Sequence, residues 1–351
     1  MHRPRLAAAL AVVAALALSG CAGAASPSGT SADAGPSAGA ELADGTFPVT
    51  IHHVYGDTTI TKKPERIATV AWANHEVPLA LGVVPVGMSK ATWGDDDGDG
   101  VLPWVEDKLT ELGADTPVLF DETDGIPFEK VADTKPDVIL ASYSGITQED
   151  YDTLSAIAPV VAYPDVAWGT SLDDMITMNS EAIGLAASGR MLIEDLHTQV
   201  TTALDAHPRL ADSRLLFSYI DQADLSQIGF YTAADTRPGF LKSIGMPIPT
   251  IVQEESAANP DKFYVSVSAE QADRFADVDL FVTYGEKDGS TVATLQADPL
   301  LAKIPAIKEG RVAILENSTP LAASANPSPL SIPWGIDRYF ALLASALEPQ
   351  A

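Results

Sequence analysis

A single long amphipathic helix is predicted over residues 188–206, between two stretches of chain in which strand and helix patterns alternate. Ser188 is a suitable N-cap, apolar residues from Met191 to Leu204 recur at helical spacing, and His207-Pro208 ends the pattern. At about 1.5 Å per residue this helix spans roughly 28 Å, which is about the width of a small domain. We therefore expect a stiff strut between two lobes, which permits a narrow cleft and little hinge motion.

The stretches on either side of this helix predict two α/β lobes. Strands are predicted at 66–72 and 138–142 before the helix and at 214–220 and 280–284 after it, with helices between them. Such alternation is typical of mostly parallel sheets covered by helices, so the predicted fold is two Rossmann-like lobes joined by one long helix. In open sheets of this kind a ligand binds at the carboxyl ends of the strands. The predicted domain limits are 47–187, 188–207 and 208–351.

The segment before the first lobe predicts export and membrane anchoring. Residues 1–21 combine a short basic region with an apolar run that is too short for an ordinary membrane span, and they end in Leu18-Ser19-Gly20-Cys21. This ending is similar to a bacterial lipobox, whose cysteine is lipidated, although an ordinary secretory signal with an incidental cysteine is the alternative. Residues 22–46 are rich in Ala, Gly, Ser and Pro and predict a flexible tether. We expect an extracytoplasmic protein anchored to the cell membrane through Cys21, with a short hairpin starting the folded part.

Composition and motifs restrict the class of function. The chain has 351 residues and a formal net charge of −27, so nucleic acid and anionic lipid would be repelled, whereas a neutral or cationic small ligand is easier to accommodate. No phosphate-binding loop, nucleophile elbow or dinucleotide-binding motif is present. A Ser, His and Asp triad could still converge in space, so a secreted α/β hydrolase stays open as an alternative. We expect a monomer.

Three blocks of sequence carry a family resemblance: ERIATVAWANHEVPLALGVVPVGM, PFEKVADTKPDVILASYSGITQEDYDTLSAIAPVV and DPLLAKIPAIKEGRVAIL. They resemble the substrate-binding lipoproteins of bacterial iron-siderophore ABC importers, a class that also includes vitamin B12 and haem binders. The resemblance implies a ferric siderophore gripped between two lobes, delivery to an ABC importer permease, no chemistry and no required cofactor. Haem or cobalamin stays open as the ligand. The absence of histidine beyond His207 weakens haem and direct transition-metal binding.

Aromatic and polar residues at the predicted strand ends are the candidate ligand-binding residues, since aromatic rings provide contact area and a few donors set orientation. In chain order they are Trp72, Asn74, Trp93, Tyr143, Ser144, Trp168, Tyr231, Arg237 and Tyr284. For each aromatic residue, plain core packing is the alternative. Arg237 is the only basic residue among them, with Lys90 and Lys287 possible at the rims. We therefore expect a hydroxamate-type ferric siderophore rather than an anionic catecholate.

The resemblance also implies two permease-docking residues. In the family, a carboxylate on the outer face of each lobe pairs with arginines of the permease. The matching positions in this sequence are Glu149 and Asp235. The alternative for both is a solvated surface acid.

An acidic loop follows the second predicted strand. Asp95, Asp97, Asp99, Val101 and Glu106 fit the EF-hand spacing D-x-D-x-D-G-x5-E. This spacing predicts a calcium site, and a solvated acidic loop is the alternative.

Overall fold

The computed structural model describes residues 42–348. The predicted signal segment 1–21, its lipidation residue Cys21 and most of the predicted tether 22–46 lie outside the described residues. The described part has two five-stranded sheets, one on each side of a long helix. The predicted fold class, two α/β lobes with mostly parallel sheets joined by one helix, is confirmed. The exact limits of the lobes stay a prediction.

The first lobe begins with the expected antiparallel hairpin and continues as a parallel sheet. Its strands are β1 (Val49–His53), β2 (Gly56–Ile60), β3 (Ile67–Thr69), β4 (Gly87–Ser89), β5 (Val118–Phe120), β6 (Val138–Leu140) and β7 (Val160–Val161). Its helices are α1 (Glu76–Ala80), α2 (Pro103–Leu112), α3 (Phe128–Asp133), α4 (Gln148–Ser155) and α5 (Leu172–Ala182). The hairpin pairs β1 with β2, and the sheet runs β5-β4-β3-β6-β7 with all neighbours parallel.

One helix, α6 (Ala186–Asp205), connects the two sheets, and it begins before the predicted N-cap Ser188. The Asp44 carboxylate instead accepts hydrogen bonds from the backbone N–H of Ala187 (2.8 Å) and from the Ser188 hydroxyl (2.6 Å). A negative charge at a helix N-terminus is stabilising, and the bonds from Ser188 and Ala187 hold the pKa of Asp44 below its usual value. Residues 44 and 45 are therefore hydrogen-bonded to the first lobe, and where the predicted flexible tether ends stays a prediction.

The second lobe has a mixed sheet. Its strands are β8 (Leu215–Ser218), β9 (Gln227–Tyr231), β10 (Tyr264–Ser268), β11 (Leu280–Gly285) and β12 (Val312–Glu316). Its helices are α7 (Pro208–Ala211), α8 (Thr236–Ser243), α9 (Thr250–Ala258), α10 (Ser290–Ala297), α11 (Pro305–Lys308), α12 (Pro320–Ala323) and α13 (Ser331–Ala346). The sheet runs β10-β9-β8-β11-β12, in which β8, β11 and β12 are parallel and β9 is antiparallel to both its neighbours.

One apolar core runs from the first lobe through α6 into the second lobe. It includes Val77 and Ile176 of the first lobe, Val200 of α6, and Phe217 and Leu343 of the second lobe, each at most 1% exposed. Separating the lobes widely would expose this shared core to water, which is unfavourable. Between residues 42 and 348, no helix is both long enough and apolar enough to cross a membrane.

Candidate functional site

The carboxyl ends of the first-lobe strands carry backbone in an unusual conformation. Ala71 and Ala73 lie after β3 and Trp168 lies after β7, and their φ angles are +61°, +60° and +61°. Residues other than glycine adopt this left-handed region rarely, and such conformations cluster at functional sites. This edge of the sheet is therefore a candidate functional site.

Two of the predicted ligand-binding residues lie beneath this edge. Asn74 Nδ2 donates to the carbonyl oxygens of Val70 (2.8 Å) and Tyr143 (2.9 Å), and its Oδ1 accepts from the Tyr143 N–H (3.1 Å). The Ser144 hydroxyl donates to the carbonyl oxygen of Ala141 (2.7 Å). Asn74 and Ser144 are both 0% exposed. The prediction that they contact a ligand is therefore wrong, because their polar atoms bind the loops after β3 and β6 and so position Tyr143.

The Tyr143 hydroxyl joins the first lobe to the second. It donates to Thr236 Oγ1 (3.2 Å) at the start of α8 and accepts from Asn326 Nδ2 (3.0 Å), while the Thr236 hydroxyl donates to Asn326 Oδ1. The Tyr143 ring also packs edge-on against Trp168, with ring centres 5.5 Å apart. Burial raises the pKa of Tyr143, so the hydroxyl keeps its proton. Sequence reasoning missed Thr236 and Asn326, since neither belongs to a motif and only the tertiary fold brings them to Tyr143.

Arg237 is a mostly buried cation of the second lobe. Its Nη1 donates to both Asp235 carboxylate oxygens (3.0 and 2.8 Å), its Nε donates to the Tyr284 hydroxyl (3.0 Å), and its guanidinium carbon lies 4.3 Å from the centre of the Tyr231 ring. Burial alone would lower the pKa of Arg237, but Tyr284 and Asp235 raise it above its ordinary value, so the side chain is charged. No residue in the described range accepts a hydrogen bond from Nη2, which leaves that nitrogen available to a ligand.

The predicted aromatic residues come together at the junction of the lobes. Trp93 of the first lobe packs perpendicular to Tyr284 of the second, with ring centres 5.6 Å apart. Trp72 borders a small cavity of about 20 Å³ that His75 and Lys90 also line. All six predicted aromatic residues belong to, or pack against, the core that both lobes share; they are Trp72, Trp93, Tyr143, Trp168, Tyr231 and Tyr284. Their contact with a ligand stays a prediction.

Two carboxylates near this junction, the half-buried Glu122 and the fully buried Glu76, were missed by sequence reasoning. Glu122 lies after β5 and accepts from the Ala71 N–H (3.0 Å), and burial raises its pKa to about 7. Glu76 accepts from Trp104 Nε1 (2.8 Å) and from the Leu330 N–H (3.0 Å) just before α13, and burial raises its pKa to about 7 as well. Glu122 lies in the polar, acidic segment after β5, and nothing in that segment of the sequence predicts that its side chain is shielded from water.

The two predicted docking residues lie in different environments. Glu149 is exposed on the first turn of α4, as docking requires. Asp235 is 1% exposed, caps α8 and pairs with Arg237. The prediction that Asp235 lies on the outer face is wrong, because the buried guanidinium next to it needs a counter-ion.

Only part of the predicted calcium set comes together. Asp95, Asp97 and Asp99 bring carboxylate oxygens within 4.8 Å of one another, and among the described residues Glu106 is not part of that group. Val101 is buried, and its N–H donates to Asp99 Oδ1 (2.7 Å). Glu106 is an exposed residue in the first turn of α2. Calcium binding by the three aspartates stays a prediction.

The chain is similar to known proteins along most of its length. Residues 67–319 match the sequence profile of the periplasmic binding protein family. The probable siderophore-binding lipoprotein YfiY of Bacillus subtilis is 28% identical over 241 residues, which are 67% of this chain and 69% of YfiY. PiaA of Streptococcus pneumoniae TIGR4, solved in complex with ferrichrome, is 46% identical, with 85% of this chain and 98% of PiaA covered and a TM-score of 0.80. A periplasmic solute binding protein from Mycobacterium smegmatis is 27% identical, with 86% of this chain and 99% of that protein covered and a TM-score of 0.67.

Proposed function

Since this chain belongs to the periplasmic binding protein family, we propose that it captures a ferric siderophore of the hydroxamate type between its lobes and delivers it to an ABC importer. Members of this family bind a solute for transport and are not enzymes. The 46% identity to a protein solved with ferrichrome, a ferric trihydroxamate, supports this ligand class. The similarity to a probable siderophore-binding lipoprotein points the same way.

The observation that carries the proposal is the setting of Arg237. Aromatic rings from both lobes meet there, and the guanidinium is fixed by Asp235, Tyr284 and Tyr231 with Nη2 left unbound. Fixed aromatic walls bind the apolar body of a ligand, and one preorganised charged donor orients its oxygen atoms. A ferric hydroxamate presents such oxygens around the metal without a large net charge.

Tryptophan fluorescence tests this function, because Trp93 and Trp168 pack against the residues of the site. Ferric ferrichrome is expected to quench the emission to saturation, and iron-free ferrichrome, haem and cobalamin are the comparison ligands. Trp168→Phe should weaken ferric ferrichrome binding by about ten-fold, since buried aromatic anchors dominate binding energy. The matched control is Trp334→Phe, which alters a ring packed at a tilt against Trp104, and neither of these two residues is a predicted ligand-binding residue. Saturation by cobalamin or haem alone would show that the ligand is not a ferric siderophore.

Delivery requires a membrane anchor and a docking surface, and we place these at Cys21 and Glu149. Cys21→Ser is expected to release the protein from cells into the medium. Glu149→Lys should leave the ferrichrome Kd unchanged and reduce iron uptake, because it reverses a charge on an exposed helix turn that carries none of the proposed ligand-binding residues. Glu129→Lys, on exposed α3 of the same lobe, is the control. Equal uptake by both variants would exclude Glu149 from docking.

A further inference from the structure

We propose that Asp235 determines the ligand charge that this cleft accepts: by neutralising Arg237, it makes the cleft select electrically neutral ferric complexes over anionic ones. This inference rests on the proposed function, and it assigns a specificity role to a residue that does not itself have to touch the ligand.

The first step is the geometry of the pair. The Asp235 side chain is 2% exposed and that of Arg237 is 17% exposed, and the two are joined through both carboxylate oxygens at 3.0 and 2.8 Å. Asp235 Oδ1 also accepts the Arg237 N–H (2.9 Å) as the cap of α8. Ser, Thr or Asn would serve equally well as a cap, so the cap alone does not require a carboxylate. The buried guanidinium does require one, because an unpaired buried charge is strongly unfavourable.

The second step concerns the other cations near the cleft. Lys90 lies 3.7 Å from an Asp121 carboxylate oxygen, and Lys287 lies 3.0 Å from a carboxylate oxygen of Glu316. Lys242 lines a neighbouring cavity whose walls also carry two carboxylates. Every basic residue that the sequence placed at the cleft therefore faces an acid. Among the described residues, the three cations that the sequence placed at the cleft therefore offer hydrogen-bond donors, but each has its positive charge compensated by a carboxylate.

The consequence follows from the cost of removing a charge from water. An anionic complex would lose its hydration on entering the cleft, and Asp235 would repel it at close range while cancelling most of the attraction to Arg237. A neutral complex has a much smaller desolvation cost. It can still accept a charge-assisted hydrogen bond from Arg237 Nη2, which orients it.

The test compares the Kd values of a neutral and an anionic ferric complex by calorimetry, with ferrichrome and ferric enterobactin as the probes. Wild-type protein is expected to bind ferrichrome more tightly. Asp235→Asn keeps the cap of α8 but leaves Arg237 unpaired, so it should shift the ratio of the two affinities toward enterobactin by about ten-fold or more. Arg237→Gln leaves Asp235 uncompensated and should shift the ratio the other way. The double variant, neutral again, should return the ratio close to the wild-type value.

Asp279→Asn is the matched control, since Asp279 pairs with Arg214 in the same lobe at the amino ends of β8 and β11, away from the cleft. It makes the same change in net charge and should leave the ratio unchanged. Wild-type protein that binds neither probe would overturn the proposed function and this inference together. Wild-type protein that prefers enterobactin, or Asp235→Asn that weakens both probes by the same factor, would overturn the inference alone. Thermal melting establishes that each variant folds. If Asp235→Asn does not fold, the inference is tested by Arg237→Gln alone: a shift of the affinity ratio toward ferrichrome supports it, and a shift toward enterobactin overturns it.

Discussion

Replacing Tyr143 by phenylalanine removes a single oxygen atom from the contact between the lobes. The ring and its edge-on packing against Trp168 remain, so no sizeable cavity forms. What is lost is the hydroxyl that donates to Thr236 and accepts from Asn326 Nδ2. Asn326 is buried, so its amide would be left with an unsatisfied donor. Such a loss costs about 1–3 kcal/mol of the free energy of unfolding.

A double-mutant cycle isolates this contact from other effects. Chemical denaturation of wild type, Tyr143→Phe, Asn326→Ala and the double variant should give a coupling energy of about 1–2 kcal/mol, because the alanine also removes the orphaned donor. Tyr163→Phe is the control: its hydroxyl bonds to Tyr55 within the first lobe (3.0 Å). Combined with Asn326→Ala, it should be additive to within about 0.5 kcal/mol. A Tyr143→Phe variant as stable as wild type, or a coupling near zero, would refute the proposed link between the lobes.

Two further outcomes are expected. The pKa of Glu122 is raised by burial from 4.5 to about 7, so the folded protein holds this proton more tightly than the unfolded chain; its contribution to stability is complete below about pH 4.5 and is lost as pH rises through 7. Glu122→Gln should therefore remove up to about 3 kcal/mol of pH dependence from chemical denaturation curves, and an unchanged pH profile would contradict the raised pKa of the half-buried Glu122. If Asp95, Asp97 and Asp99 hold calcium, the melting temperature should be higher in excess calcium than in chelator, and Asp97→Asn should abolish the difference. Equal melting temperatures of the wild type in calcium and in chelator would show that the three aspartates form a solvated acidic loop and not a structural calcium site.

The elements that the sequence predicted well are those with a strong local pattern. The long helix was expected at 188–206 and lies at Ala186–Asp205. Its capping residue, Asp44, is distant in sequence, so no local rule could identify it. Met191 fits the helical spacing yet is 69% exposed. Helical spacing predicts which face of a helix is apolar, but it does not show whether other elements cover that face along its whole length. The antiparallel strand β9 was missed since the expectation of parallel strands left no place for it.

The residues of the candidate site also differ in how well the sequence predicted them. The aromatic residues were found because strand ends in open α/β sheets converge on one edge, which is a rule of topology. Polar residues at the same strand ends were assigned less well. Asn74 and Asp235 each have a buried partner, the loop backbone for one and Arg237 for the other. Polarity shows that a side chain needs a partner, but only the packed structure shows whether that partner is a ligand or the protein itself.

The paired cations also determine how binding should depend on salt. In a chain with a net charge of −27, an unpaired arginine would be the strongest attraction for an anion, and that attraction would weaken with ionic strength. Here Arg237 is coupled to Asp235 at 2.8 Å, and the field of such a pair decreases faster with distance than that of a single charge. Apolar contact and short hydrogen bonds then supply the affinity for ferrichrome, so its Kd should change less than about three-fold between low and physiological salt. For Asp235→Asn with ferric enterobactin the Kd should rise steeply over the same range. A steep salt dependence of ferrichrome binding to the wild type would mean that Arg237 acts as a free charge.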